Sequence, residues 1–257
     1  MSDESRLQLI TAVRDFALHG TRRPLRDFQR VAGHLNWALN VYPCLRPGLC
    51  ALYAKTAGKL FQKALLWVNR DVERELGWVI DHLLHSDGIY FLHSVSWSYD
   101  HLSPSVLHVY CDASPFALGI WYPLLALGLQ APAHDIFAQH GGSIFYLEAL
   151  CVCSAILDAA PRLSGGQHLA VFTDNVNTVQ LFNSLSALPA FNWMLIQVAD
   201  AALDQGFDFR VFHVPGIHNQ VADSLSRLQN VQLAASHPEM LISTFQPPRP
   251  TLGADAS

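Results

Sequence analysis

The chain has 257 residues, of which 51% are hydrophobic and 14% are charged. Such an apolar sequence can build a core and is not disordered throughout, and its length suits a small domain with an extension. No uninterrupted apolar run reaches the roughly 18–20 residues that span a bilayer, and residues 1–9 are too polar for a secretion signal. We therefore expect no membrane partner, reduced cysteines and a cytoplasmic or nuclear location.

Charge is unevenly distributed along the chain. Up to Glu75 there are 12 Lys and Arg against 7 Asp and Glu, whereas the remainder has 4 against 14. The basic part is a candidate surface for phosphate backbones. The acidic part can approach nucleic acid if bound divalent cations invert its local charge.

The first hundred residues have the apolar spacing of amphipathic helices. Hydrophobic residues recur at three- and four-residue intervals in residues 6–19, 24–39, 49–61 and 72–84. Two proline-containing stretches, Tyr42-Pro43 and Arg46-Pro47-Gly48, interrupt this pattern. Residues 1–100 are therefore expected to form a mostly α-helical segment.

From Val106 onward, short β-type runs alternate with helical patterns. The expected order is β-β-β-α-β-α-α-β-α, with strands at 106–111, 116–122, 124–130, 169–172 and 209–214 and helices at 143–160, 176–185, 191–205 and 219–228. This order predicts an α/β domain with one mixed five-stranded sheet flanked by helices over residues 101–230. The proline-rich remainder, residues 231–257, is expected to be extended or disordered.

Four acidic residues of this domain lie in or directly after apolar strands and helices, where acidic side chains are not expected for packing. Asp112 and Asp174 each follow an apolar strand, at the carboxyl end where α/β sheets place ligands. Glu148 and Asp223 lie among apolar residues of two helices. Hard divalent cations prefer oxygen ligands, and in-line phosphodiester hydrolysis uses one ion to ready the water and another for the leaving oxygen. Four converging carboxylates would suit such a pair of ions.

Each carboxylate also has a purely structural interpretation. Asp174 can cap the helix that follows it. Glu148 and Asp223 can form ion pairs, for which the candidate partners are Arg162 or Arg210 for the former and Arg227 for the latter. The four together, in this order and on these elements, favour metal chemistry.

Three stretches carry a resemblance to a known family. They are VYCDAS at 109–114 with Gly119 beyond it, FTDN at 172–175, and HVPGIHNQVADSLSR at 213–227. They resemble the first strand and turn, the third-carboxylate motif and the closing motif of reverse-transcriptase ribonuclease H domains. The third match is the most specific. Residues 25–37, LRDFQRVAGHLNW, resemble the thumb and connection region of retrotransposon reverse transcriptases, closest to the DIRS-like, tyrosine-recombinase elements.

The resemblance implies a ribonuclease H-like fold preceded by a helical segment of the thumb and connection type. It implies that Asp112, Glu148, Asp174 and Asp223 hold two Mg²⁺ or Mn²⁺ ions. The implied activity is endonucleolytic hydrolysis of the RNA strand of an RNA–DNA hybrid. Its implied partners are that hybrid and the rest of a reverse transcriptase polyprotein.

The sequence departs from the family in two places. It has no Tyr-x-Asp-Asp palm motif, so DNA synthesis is not predicted. Residues 185–189 leave no room for the extra basic helix with which some cellular ribonucleases H hold the hybrid. The basic first part of the chain is therefore the candidate surface for holding the substrate.

Two histidines lie near the place where cellular members carry a loop histidine thought to aid product release. His218 is the candidate for this auxiliary catalytic role, because it lies on the loop, whereas His213 is expected on the preceding strand. Asn219 is expected to fix the loop or to cap the last helix.

Two other interpretations stay open. The chain can be a catalytically silent retroelement remnant that binds nucleic acid or protein, which the missing palm motif and the acidic second half favour. Retention of all four carboxylates argues against it. A third interpretation is an integrase- or resolvase-like nuclease acting on DNA, against which the closing motif argues.

Overall fold

The computed structural model describes residues 1–85, 106–163 and 167–250 of the chain. The chain divides into two compact units. The helical unit comprises Met1–Ser96 and Leu185–Asn192, and the sheet unit comprises Trp97–Ser184 and Trp193–Ser257.

The helical unit contains four α-helices and one short pair of strands among its described residues up to 85. Its elements are α1 (Asp3–Phe16), β1 (Arg22–Pro24), α2 (Leu25–Ala38), a 3₁₀ helix (Pro43–Leu49), α3 (Cys50–Thr56), β2 (Leu65–Trp67) and α4 (Arg70–His85). The helix expected at 49–61 is shorter than predicted, because α3 ends at Thr56 and the chain then turns into β2. The Phe16 and Phe28 rings meet edge to face, with centroids 4.9 Å apart, and join α1 to α2.

The sheet unit consists of strands alternating with helices. Its elements are β3 (Leu107–Ala113), β4 (Ala117–Tyr122), β5 (Leu127–Pro132), α5 (His134–Gln139), α6 (Ile144–Ala159), β6 (His168–Thr173), α7 (Val176–Ser184), α8 (Pro189–Gln205), β7 (Asp208–His213), α9 (Gln220–Ser226), α10 (Asn230–Ser236) and β8 (Leu241–Thr244). The first residues of α8 belong to the helical unit. The connection between α7 and α8 is as short as expected.

The six strands form one mixed sheet in the order β7-β6-β3-β4-β5-β8. Strand β4 pairs antiparallel with both β3 and β5, whereas the pairs β3–β6, β6–β7 and β5–β8 are parallel. The α/β class with a mixed sheet flanked by helices is confirmed. The expected number of five strands is wrong, because the sheet has a sixth strand.

The sixth strand arises from residues that were expected to be extended or disordered. Residues 231–250 instead contribute most of α10 and the whole of β8, whose Leu241 pairs with Leu127 of β5. Ile242 and Met240 pack against the buried Trp121 and Leu233, so apolar burial outweighs the nearby prolines. The prediction was therefore wrong for 231–250, and residues 251–257 lie outside the described part.

Helix α6 is the central core helix of the sheet unit. Twelve of its sixteen residues are buried. Among the described residues, the segment Ile144–Arg162 is long and apolar enough to cross a membrane, but most of it is buried inside the protein. Burial against the sheet accounts for its apolar composition.

Candidate metal centre

Asp112 lies in the central strand β3 and is only 5% exposed. It was expected just after the strand, which was wrong. Strand β3 continues to Ala113, because Asp112 pairs with Gly119 and Ala113 with Leu118 of β4. Antiparallel pairing thus fixes the backbone on both sides of the carboxylate.

Glu148 lies in the first half of α6, which begins after the N-cap Ser143, whose Oγ accepts a hydrogen bond from the Tyr146 amide. Its carboxylate is 5% exposed, and its Oε2 atom has no hydrogen-bond partner. Arg162, a partner considered for it, pairs instead with Asp158 at 3.1 Å. A structural ion pair with Arg162 therefore does not explain Glu148.

Asp174 follows the end of β6 and is exposed. The expected alternative, that it caps α7, is not what the structure has. Asn175 does so, since its Oδ1 accepts a hydrogen bond from the Thr178 amide at 3.0 Å. The Asp174 carboxylate is left for another role.

These three side chains converge from three different elements. One carboxylate oxygen from each of Asp112, Glu148 and Asp174 lies within 4.8 Å of the other two. Such a set of hard oxygen donors fits a divalent cation. The unpartnered Oε2 of Glu148 supports this fit, because buried polar atoms normally have a partner.

Electrostatics make the cluster a strong acceptor of positive charge. Burial, with the neighbouring charges of Asp112 and Asp174, raises the pKa of Glu148 to about 9. Burial also raises the pKa of Asp112 to about 6, although a hydrogen bond from Ser226 acts in the opposite direction. Without a cation the site therefore holds protons, and a divalent ion can replace them.

Asp223, the fourth expected ligand, does not join this cluster. Its Oδ1 lies 2.7 Å from Nε of Arg227, four residues along the chain, as its structural interpretation predicted. It remains close enough for its charge to raise the pKa of Asp112. The structure thus brings three of the four carboxylates together and places the fourth beside them.

The loop before α9 runs beside the cluster. A Cβ added to Gly216 would lie 3.4 Å from Oδ2 of Asp174. His218 is exposed at the end of the 3₁₀ turn Gly216–His218, outside the three-carboxylate cluster. His213 lies on β7, as expected, opposite Thr173.

Asn219 fixes this loop to the strand that carries Asp112. The side chain is buried, and its Nδ2 donates to the Cys111 carbonyl at 2.8 Å. It occupies the N-cap position of α9 but makes no side-chain capping bond. Of the two roles expected for Asn219, the structure has loop fixation.

Ser226 is a site residue that the sequence interpretation missed. Its Oγ donates to Oδ2 of Asp112 at 2.5 Å, and the side chain is fully buried. Ser114 in turn donates from Oγ to the Ser226 carbonyl at 2.6 Å. The sequence feature that could have identified Ser226 is its place next to Leu225 on the buried face of a short helix, because a buried hydroxyl needs a hydrogen-bond partner.

Gly119 allows α9 to lie directly on the sheet. A Cβ at this position would stand 2.5 Å from the Ala222 carbonyl oxygen and 2.6 Å from the Ser226 amide nitrogen. Any larger residue would push the helix away from β4. The glycine therefore sets the distance between Ser226 and Asp112.

Comparison with models of protein families finds no family that matches this chain, and a search of curated proteins finds no match.

Proposed function

We propose that this chain is a divalent-metal-dependent endonuclease of the ribonuclease H type, which hydrolyses the RNA strand of RNA–DNA hybrids. The observation that carries the proposal is the convergence of Asp112, Glu148 and Asp174, with an unpartnered, buried oxygen on Glu148. Three carboxylates buried to different degrees repel one another, so the fold keeps them together at a cost. A catalytic cation site explains why this cost is retained.

The sequence motifs narrow the reaction. The segment 213–227 resembles the closing motif of reverse-transcriptase ribonuclease H domains. Two of its side chains, Asn219 and Ser226, donate hydrogen bonds to Cys111 and Asp112 of β3. The mixed sheet flanked by helices is compatible with a ribonuclease H-like fold. A retroelement origin, of the DIRS-like type, is part of the same proposal.

The carboxylates of the proposed site differ in how firmly the fold holds them and in how exposed they are. Asp112 is held by strand pairing and by the hydrogen bond from Ser226, whereas Asp174 is exposed and therefore accessible to a substrate. Two bound Mg²⁺ or Mn²⁺ ions would supply the charge that activates water and stabilises the leaving oxygen. His218 lies on the exposed loop, where it can assist product release.

Asp223 is proposed as the fourth ligand after leaving Arg227. Both side chains of this ion pair are substantially exposed, at 40% and 53%. Exposed pairs of this kind contribute only about 0–1 kcal/mol, so the exchange costs little. Arg227 then becomes free to meet a substrate phosphate.

One observation favours a second candidate, a catalytically silent remnant that binds nucleic acid or protein. The Asp223–Arg227 pair leaves only three carboxylates in the cluster. The two candidates differ in metal binding, since a silent remnant has no need of a cation at Asp112. Calorimetric titration with Mg²⁺ and Mn²⁺ separates them, because only the nuclease requires binding that Asp112→Asn removes.

A panel of labelled duplexes tests the reaction itself. We expect cleavage of the RNA strand in an RNA–DNA hybrid, leaving a 3′-hydroxyl, and no cleavage of double-stranded RNA or double-stranded DNA. Cutting of the DNA duplex in preference to the hybrid would instead support the integrase- or resolvase-like interpretation and overturn the proposed substrate.

A further inference from the structure

We propose that a single-stranded polynucleotide binds the ribbon surface of the helical unit. This surface is the exposed face of β1 and β2 with the turn between α3 and β2, and its principal side chains are Arg22, Arg26, Lys59, Phe61, Lys63 and Trp67. Its bases would lie on the aromatic rings and its phosphates on the surrounding cations. All of these residues belong to the helical unit, outside the carboxylate cluster.

Strand pairing places Arg22 and Trp67 on one face of the ribbon. Arg22 pairs with Trp67 in the antiparallel ribbon, and side chains directly opposite each other share a face. The guanidinium carbon of Arg22 lies 4.3 Å from the centroid of the Trp67 ring. Beyond the ribbon, the amide of Arg26 donates to the Gln62 carbonyl at 3.2 Å, so the lysine-bearing turn runs beside the start of α2.

The surface leaves large apolar side chains in solvent. Leu60 is 90% exposed, Phe61 70% and Trp67 50%. Leu60 and Phe61 are consecutive in the chain, and clustered exposed apolar side chains, unlike scattered ones, mark interaction surfaces. Rings of this kind offer flat faces on which bases stack irrespective of sequence.

The charge of this surface selects a polyanion. The segment from Leu49 to Asn69 contains all three lysines of the chain and no acidic residue. In the neighbouring residues 22–30 there are four arginines and one acidic residue, Asp27. Asp27 lies 3.8 Å from nitrogens of both Arg26 and Arg30, so it only partly offsets them.

Aromatic rings among cations favour a single strand over a duplex. In a duplex the base faces are stacked on one another, and only the phosphates could use the surface. In a single strand both phosphates and base faces are available, and each contact contributes without reading sequence. The Phe61 ring and the Arg22–Trp67 contact would then be used together with Lys59 and Lys63.

Fluorescence anisotropy with the whole chain tests this surface. The probe is a labelled 20-mer of deoxythymidylate, with EDTA present so that no metal-dependent cleavage occurs and the proposed nuclease plays no part. We expect Trp67→Ala to weaken binding about tenfold and Trp67→Phe to restore most of it, because the phenyl ring still stacks. Lys59→Ala should lower the slope of log affinity against log salt by about 0.7.

Matched variants show whether the effect is local. Trp37→Ala removes another exposed tryptophan and Arg14→Ala another exposed cation of the helical unit, and both should bind like the wild type. Circular dichroism checks that each variant is folded. Equal binding by folded Trp67→Ala and wild type would overturn the proposal. So would binding only to phosphatidylserine vesicles, or only to a DNA duplex, with the oligonucleotide left unbound.

Discussion

At Glu148 the chain buries a carboxylate that the described residues do not neutralise. Its Oε2 has no hydrogen-bond partner, and the charges of Asp112 and Asp174 act against its ionisation. Burying an uncompensated charge costs several kcal/mol, and the group responds by raising its pKa. In the proposed metal site, a bound cation would offset this cost.

The raised pKa of Glu148 predicts a characteristic pH dependence of the metal-free protein. The pKa of Glu148 is about 9 in the folded state against 4.5 ordinarily, so the folded state holds its proton longer. The resulting stability is fully present below about pH 4.5 and is lost as pH rises towards 9. Between pH 5 and 8 the loss should be on the order of 4 kcal/mol, since each pH unit between the two pKa values contributes about 1.4 kcal/mol.

Urea denaturation in EDTA measures this loss. Glu148→Gln has no proton to release, so it should flatten the dependence and be more stable than the wild type at pH 8. Glu75 and Asp112, whose pKa values are raised to about 7 and about 6, act in the same direction in both proteins, so the difference between the two curves reports Glu148. Parallel curves would contradict the assignment of the shift to Glu148.

Asp174 and Asn175 are neighbours with opposite expected phenotypes. Asn175→Ala removes the cap of α7 and should cost about 1 kcal/mol of stability while leaving metal binding nearly intact. Asp174→Asn should leave stability unchanged or raised, because it relieves repulsion, and should abolish metal-dependent stabilisation. Thermal melts with and without Mg²⁺ measure both the stability of each variant and its stabilisation by the metal. If Asp174→Asn lost stability as Asn175→Ala does, Asp174 would be structural.

Ser226 is expected to act through Asp112 as a positioning residue. Its hydroxyl lowers the pKa of Asp112, so Ser226→Ala should raise that pKa further and shift the pH profile of hybrid cleavage upward. Activity at neutral pH should fall roughly tenfold. Ser224→Ala, on the same helix, is the matched control and should leave the profile unchanged. An unshifted profile for Ser226→Ala would remove Ser226 from the site.

At the scale of elements, the packing of α9 on β4 determines the geometry of the site. Gly119→Ala should push α9 away, since its Cβ meets backbone atoms at 2.5 and 2.6 Å that cannot move independently. We expect a loss of about 2 kcal/mol or more in urea denaturation, together with weaker metal binding. Gly33→Ala is the control, because it is exposed in α2 with nothing within 4 Å of its Cβ. It should stabilise by about 0.5–1 kcal/mol.

A Gly119→Ala protein with wild-type stability would show that α9 can move without cost. Gly119 would then not fix the distance between Ser226 and Asp112, and the site would not be rigid.

The elements that the sequence predicted well are those with strong apolar periodicity. Helix α6 and strand β6 agree with expectation to within one residue at each end. Strand β8 was missed because a four-residue run, Leu-Ile-Ser-Thr, near prolines has too little pattern to indicate a strand. Its pairing with β5 depends on contacts distant in sequence, which local pattern does not contain.

At the scale of the whole molecule, the sequence correctly predicted that three of the four expected carboxylates lie close together. Asp112, Glu148 and Asp174 were identifiable because charged residues stood in apolar elements that must pack on one another. The position of Asp223 was not, because its helical spacing to Arg227 suits an ion pair as well as a metal site. Ser226 depends on the packing of α9 on β3, which no local pattern shows.

The two units have complementary charge in the proposed account. Most Lys and Arg residues, the proposed phosphate contacts among them, precede Glu75, whereas the proposed metal ligands all follow Val106. The ribbon surface needs no metal, whereas the carboxylate cluster does. Chelation is therefore expected to remove catalysis and to leave binding of the single strand intact, and the two proposals can fail separately.

Metal-dependent catalysis by the carboxylate cluster is tested by hybrid cleavage with wild type, Asp112→Asn and Asp135→Asn across a Mg²⁺ titration. Asp135 is an exposed residue of α5 and serves as the matched control. We expect Mg²⁺-dependent cutting of the RNA strand by wild type and Asp135→Asn, and a loss of at least about a hundredfold in Asp112→Asn. Cleavage by Asp112→Asn at the wild-type rate, or no cleavage by folded wild type in either Mg²⁺ or Mn²⁺, would contradict metal-dependent catalysis by this cluster.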